Sequence, residues 1–114
     1  MTRPVRLLAG LAVLLAAGCA SAASGTAPVQ VDRVDLPRSY LFAPADITVT
    51  AGTKVTWTNS DQFTHGIRLL SPTRRDVGTV RPGESVSHVF SAPGTYAYDC
   101  PFHPQNMRGT VTVK

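Results

Sequence analysis

Several residue patterns are scarce or missing in these 114 residues, and each absence excludes something. Cysteine occurs twice, at Cys19 and Cys100, and histidine three times, at His65, His88 and His103. No serine, histidine and acid, and no pair of carboxylates, are spaced for hydrolytic chemistry, so an enzymatic reading finds no support. No basic stripe or basic helix is visible despite the +4 formal charge, which argues against a nucleic-acid partner. The longest apolar run, Leu7 to Ala17, is too short to span a bilayer as a stable helix. There is no internal repeat, and after that run no convincing amphipathic helix. What remains is room for one domain, expected to act as a monomer.

The first residues read as an export signal. Arg3 and Arg6 form a basic start, the apolar run follows, and small residues close it. Two processing readings stand side by side. Ala16-Ala17-Gly18-Cys19 resembles a bacterial lipobox, in which Cys19 is lipidated and becomes the first residue; Ala20-Ser21-Ala22 is an A-x-A site for ordinary cleavage. We expect a signal over 1–18 (a lipoprotein signal), a flexible tether over 19–29 and a folded domain over 30–114. The tether is small and polar, with a reach of roughly 15–20 Å. Membrane contact is then confined to a lipid on Cys19, and the protein sits at the outer face of the cytoplasmic membrane or in the periplasm. Loss of residues 1–18 leaves nine basic against seven acidic residues, a net charge of +2. In either reading Cys100 is the single free thiol of an exported domain, inert in the core or committed to a metal.

From Val29 onward the chain reads as short β runs. Val29 to Val34, Ile47 to Thr50, Val55 to Thr58 and Val111 to Lys114 alternate apolar and polar residues. Ser85 to Phe90 and Thr95 to Tyr98 are also strand-like. Turn signals fall at Ala51-Gly52, Ser71-Pro72, Arg81-Pro82-Gly83 and Ala92-Pro93-Gly94. The spacing predicts an all-β fold, a Greek-key antiparallel sandwich of seven to eight strands.

The chemistry concentrates in Cys100-Pro101-Phe102-His103-Pro104-Gln105-Asn106-Met107. Tyr98 and Cys100 share a strand face, and the next strand begins near Gly109, so a tight loop can bring Cys100, His103 and Met107 to one point. His65, in a strand-like stretch, is the fourth candidate. Two imidazoles, a thiolate and a thioether are the donor set of a blue-copper electron-transfer site. Pro104 restricts the backbone of His103, and Pro101 removes one N–H from around the sulfur. A stiff loop of this kind would serve both oxidation states with little rearrangement.

The chain resembles cupredoxins of the plastocyanin and amicyanin type. Phe42-x-Pro44-x-x-Ile47-x-Val49-x-x-Gly52-x-x-Val55-x-Trp57-x-Asn59, followed by His65, is similar to the family's first half. Pro93-Gly94-Thr95-Tyr96-x-Tyr98-x-Cys100-x-x-His103-Pro104, then Met107-x-Gly109-x-Val111-x-Val113, is similar to its second. The resemblance implies one copper held by a ring nitrogen of His65 and of His103, the Cys100 thiolate and a weak axial Met107. Two departures stand out. Three residues separate His103 from Met107, where amicyanin-like loops have two and plastocyanin-like loops four. Gly66 follows His65, where the family usually has an asparagine that ties the ligand loops. The Gly66 N–H could still donate to sulfur, and Asn59 and Asn106 are the candidate substitutes.

Other residues read more plainly. His88 lies in a strand without a partner motif and is expected to be structural, as are Trp57, Tyr96 and Tyr98. Phe102, with Pro101, Pro104 and Pro44, is expected to form an apolar patch around His103 for brief docking of redox protein partners. Arg108, and Arg74-Arg75 on a loop, are candidate steering charges. The leading reading is an exported single-copper electron carrier. Copper binding and delivery in the cell envelope is the alternative, and a metal-free β-sandwich module the third.

Overall fold

The computed structural model describes residues 28–114. The expected signal over 1–18, Cys19, the cleavage site at Ala22 and the tether up to residue 27 lie outside the described residues. Eight strands follow in order: β1 Arg33–Leu36, β2 Asp46–Val49, β3 Thr53–Asn59, β4 His65–Leu69, β5 Arg75–Val80, β6 Ser85–Phe90, β7 Gly94–Asp99 and β8 Arg108–Val113. They form a three-stranded sheet, β1-β3-β6, packed on a five-stranded sheet, β2-β8-β7-β4-β5. The expected all-β sandwich is the observed fold. Both sheets are mixed, however: β1 pairs parallel to β3 and β2 parallel to β8. Alternation within a strand reports which face is buried and carries nothing about the direction of the neighbour, so the antiparallel expectation misses these two pairings.

The core follows the two-residue period. Val55, Trp57 and Asn59 of β3 point inward, while Thr56 and Thr58 point out. Those two hydroxyls pair with Ser87 and Ser85 of β6 at 2.9 and 2.8 Å, the polar cross-strand contacts of a wet sheet face. Val111 and Val113 of β8 and Ile47 and Val49 of β2 supply the opposing layer. Trp57 and Tyr98 meet edge to face at 5.4 Å. The Tyr98 hydroxyl donates to the Ala45 carbonyl at 2.8 Å. A Cβ at Gly109 would collide with both that carbonyl and the Tyr98 ring, so only glycine fits there.

Among the described residues, pairing begins at Val29, which bridges to Ile47 in the five-stranded sheet. By Arg33 the chain has crossed to the other sheet. The apparent strand over Val29–Val34 is therefore a corner, and Val29 and Val31 remain exposed on it. Three strands have no clear alternation: β4 is buried almost throughout, β5 is a polar edge, and β7 runs from an exposed start to a buried end. Arg75 opens β5 rather than lying on a loop. Near one end of the sandwich, β4 and β7 run antiparallel with Arg68 opposite Asp99. That register brings the start of β4, His65, beside the loop that leaves β7 at Cys100.

Candidate metal centre

The loop Cys100 to Met107 is closed by its own backbone. The His103 N–H donates to the Cys100 carbonyl at 3.1 Å, and the Met107 N–H to the His103 carbonyl at 3.0 Å. The Cys100 N–H donates to the Met107 carbonyl at 3.1 Å. Its first, fourth and last residues are thus fixed before any metal is considered. Arg108 braces the outside, donating from Nε to the Pro104 carbonyl at 2.6 Å. Cys100 and Met107 are fully buried and His103 is half-buried.

His65 enters from β4. Its Nε2–H donates to Asp61 Oδ2 at 2.8 Å, and both side chains are buried. The remaining nitrogen, Nδ1, lies 3.9 Å from Cys100 Sγ. One donor atom from each of His65, Cys100 and His103 lies within 4.8 Å of the other two. His103 Nδ1 is buried with no hydrogen-bond partner among the described residues. An orphaned buried acceptor is costly unless something fills the role. Two imidazole nitrogens and a thiolate converging on one point fit a thiophilic transition metal.

The sulfur has one backbone donor, the Gly66 N–H at 3.4 Å. A Cβ on residue 66 would lie 3.2 Å from Pro101 Cδ and 3.5 Å from Phe102. In place of a side-chain tie, the Cys100 loop itself packs onto the bare glycine backbone. Asn59 makes a different tie. Its Nδ2 donates to the Phe63 and Val80 carbonyls at 2.7 and 2.8 Å, and its Oδ1 accepts from the Asp61 N–H at 2.8 Å. It shapes the turn before His65 and does not reach the Cys100 loop. Asn106 is exposed, and its side chain has no hydrogen bond among the described residues.

Two contributors escape the sequence analysis. Asp61 is one. The hydrogen bond from His65 holds its carboxyl below the ordinary carboxylate range, against the opposing effect of burial. The carboxylate four residues before His65 was the available signal. Tyr40 is the other. Its ring stacks on Phe63 at 5.7 Å, packs against His103 at 4.4 Å and meets His65 edge-on at 6.1 Å. It lies far upstream of every ligand candidate, and only the fold brings it there.

The depression beside His103 is lined by Tyr40, Phe102, Pro104, Gln105 and Asn106. Of the prolines expected around His103, Pro101 and Pro44 are not among its lining residues. Phe102, Leu41 and Phe63 are about half exposed. Next to the centre, Arg68 clasps Asp99 through two hydrogen bonds of 2.9 and 2.7 Å. His88 lies on β6, edge-on to Phe90 at 4.8 Å, and is not among the residues that converge on Cys100.

The sequence model of the cupredoxin-like domain matches residues 7–113. Amicyanin-alpha of Methylorubrum extorquens is 35% identical over 104 residues, covering 88% of this chain and 85% of that protein. Plastocyanin of Scenedesmus fuscus is 35% identical over 87 residues, covering 67% of this chain and 89% of that protein. Among solved structures, a purple cupredoxin from Nitrosopumilus maritimus superposes with a TM-score of 0.66 at 28% identity, over 74% of this chain and all of that one. An oxidised proline-to-alanine variant of amicyanin gives a TM-score of 0.67 at 27% identity, over 72% of this chain and 80% of that one.

Proposed function

The chain belongs to the cupredoxin-like family, and on that premise we propose an exported carrier whose copper is held by His65, Cys100, His103 and Met107. Its cofactor is one copper ion, and it carries electrons rather than converting a substrate. The supporting observation is the meeting of three donor atoms within 4.8 Å, with one buried imidazole nitrogen left unpartnered. Bound copper supplies a one-electron couple.

This chain's own residues do the rest. The Cys100 thiolate and the Met107 thioether are soft donors, and imidazole suits both oxidation states. The hydrogen-bonded loop and the Gly66 N–H hold the sulfur in place. A site that keeps one geometry in both states has little to reorganise. Half-buried His103 is the exit edge. Phe102, Pro104, Tyr40 and Phe63 form the apolar docking surface for a redox protein, with Arg108 at its rim. A small, transient interface suits such an exchange. Export rests on the basic start and apolar run before Cys19, and a lipid on Cys19 would hold the domain near a membrane.

Adding Cu(II) to the metal-free domain tests the reading. An intense thiolate-to-copper band in the visible is expected, one that Cys100→Ser and His65→Ala abolish and His88→Ala preserves. A colourless copper-loaded protein, or a band that survives Cys100→Ser, overturns it.

A further inference from the structure

We propose that Asp61 is a positioning residue for this copper site: its buried carboxylate holds the His65 ring with Nδ1 facing the metal, and its charge favours the cupric state. The inference rests on His65 being a ligand.

The His65 side chain is 0% exposed and that of Asp61 3%. A carboxylate in such a place must be paired and hydrogen-bonded. Asp61 Oδ2 accepts from His65 Nε2–H at 2.8 Å, and Oδ1 accepts from the Gln62 N–H at 2.7 Å. The Asp61 backbone is itself pinned, its N–H donating to Asn59 Oδ1 at 2.8 Å. Asn59 in turn is anchored on the Phe63 and Val80 carbonyls at 2.7 and 2.8 Å. The carboxylate is therefore held by the end of β3 and aimed at the start of β4.

Its position has two consequences. A carboxylate can only accept, so the His65 proton stays on Nε2 and the Nδ1 lone pair faces Cys100 Sγ, 3.9 Å away. A carboxylate behind a ligating imidazole also makes that ring a more basic donor. Both the added basicity and the nearby negative charge stabilise Cu(II) over Cu(I), because the cupric ion carries one more positive charge. Arg38 is the cation whose charge also reaches Asp61. It is exposed, so solvent screens it more than it screens the buried pair.

Asp61→Asn keeps the volume and an acceptor oxygen and removes the charge. With the copper-loaded protein, the Cu(II)/Cu(I) ratio at a fixed solution potential should fall about 10-fold or more, a rise in midpoint of about 59 mV. Asp32→Asn removes the same charge from an exposed carboxylate and should leave the midpoint in place. In the metal-free protein, imidazole nitrogen NMR shifts should report a single Nε2–H form of His65, mixed with the Nδ1–H form in Asp61→Ala. A midpoint that moves no more in Asp61→Asn than in Asp32→Asn overturns the proposal, even if Asp61→Ala fails to fold. In that case a His65→Ala protein that has lost its colour leaves the ligand reading standing. A His65→Ala protein that keeps its colour removes the premise itself.

Discussion

At the scale of single residues, the centre is bought with backbone strain. Ser39 and Tyr40 are successive non-glycine residues in the left-handed region, with φ of 86° and 56°, each costing roughly 1–2 kcal/mol. The strain places the Tyr40 ring against His103 and Phe63, where aromatic contact offsets part of it. Tyr40 thereby covers the half-buried His103. Tyr40→Ala should make removal of copper by a chelator several-fold faster at a stability cost of about 1–2 kcal/mol, whereas Tyr40→Phe should behave like wild type. Stopped-flow loss of the visible band after chelator addition measures it, and unchanged kinetics in Tyr40→Ala would show that the ring does not shield the site. Nothing near Tyr40 in sequence announces this role, because its partners lie 23 or more residues away. Cys100, His103 and Met107 are the opposite case. A hydrogen-bonded loop brings them together locally, so spacing alone could suggest them.

At the scale of elements, strands with one wet face were legible and the others were not. β3 and β6 alternate because one side faces the core between the sheets and the other faces water. β4 carries no such signal, since four of its five residues are buried. In the edge strand β5 a register shift opposite Ile67 and Arg68 interrupts the pattern. Gly109 in β8 is the tightest packing constraint on this end of the sandwich. Gly109→Ala must displace either the Ala45 carbonyl or the Tyr98 ring, and should cost about 3 kcal/mol. Thermal or denaturant unfolding measures the loss, and a variant as stable as wild type would mean that β2 and β8 can separate freely. Tyr98 and Cys100 are both buried and lie two residues apart at the end of β7, so the Cys100 loop should shift with the ring and the visible band should change as well.

At the scale of the whole molecule, pH acts through a residue far from the chemistry. Burial, and then the charge of Arg75, hold His88 below the ordinary imidazole value. The folded state therefore binds fewer protons here than the unfolded chain. Stability from this source is fully present above about pH 6.5 and is lost as pH falls through the depressed folded value. The copper-loaded protein should melt at a lower temperature at about pH 5 than at about pH 7.5, with part of that fall absent in His88→Gln. Calorimetry at the two pH values checks it. An equal fall in both proteins would assign the effect to other groups.

The sequence by itself determined the all-β character and pointed to the proposed donors, three of the four on one short loop. These follow from local rules: a two-residue period, proline and glycine turns, and the affinity of sulfur and imidazole for copper. Only the tertiary structure decided that β1 pairs in parallel with β3 and β2 with β8, that Asp61 stands behind His65, that Tyr40 roofs the centre, and that Gly66 is bare because Pro101 and Phe102 occupy its space. Each of these depends on contacts between segments distant along the chain. Such contacts are set by how two sheets pack, and no local pattern records them.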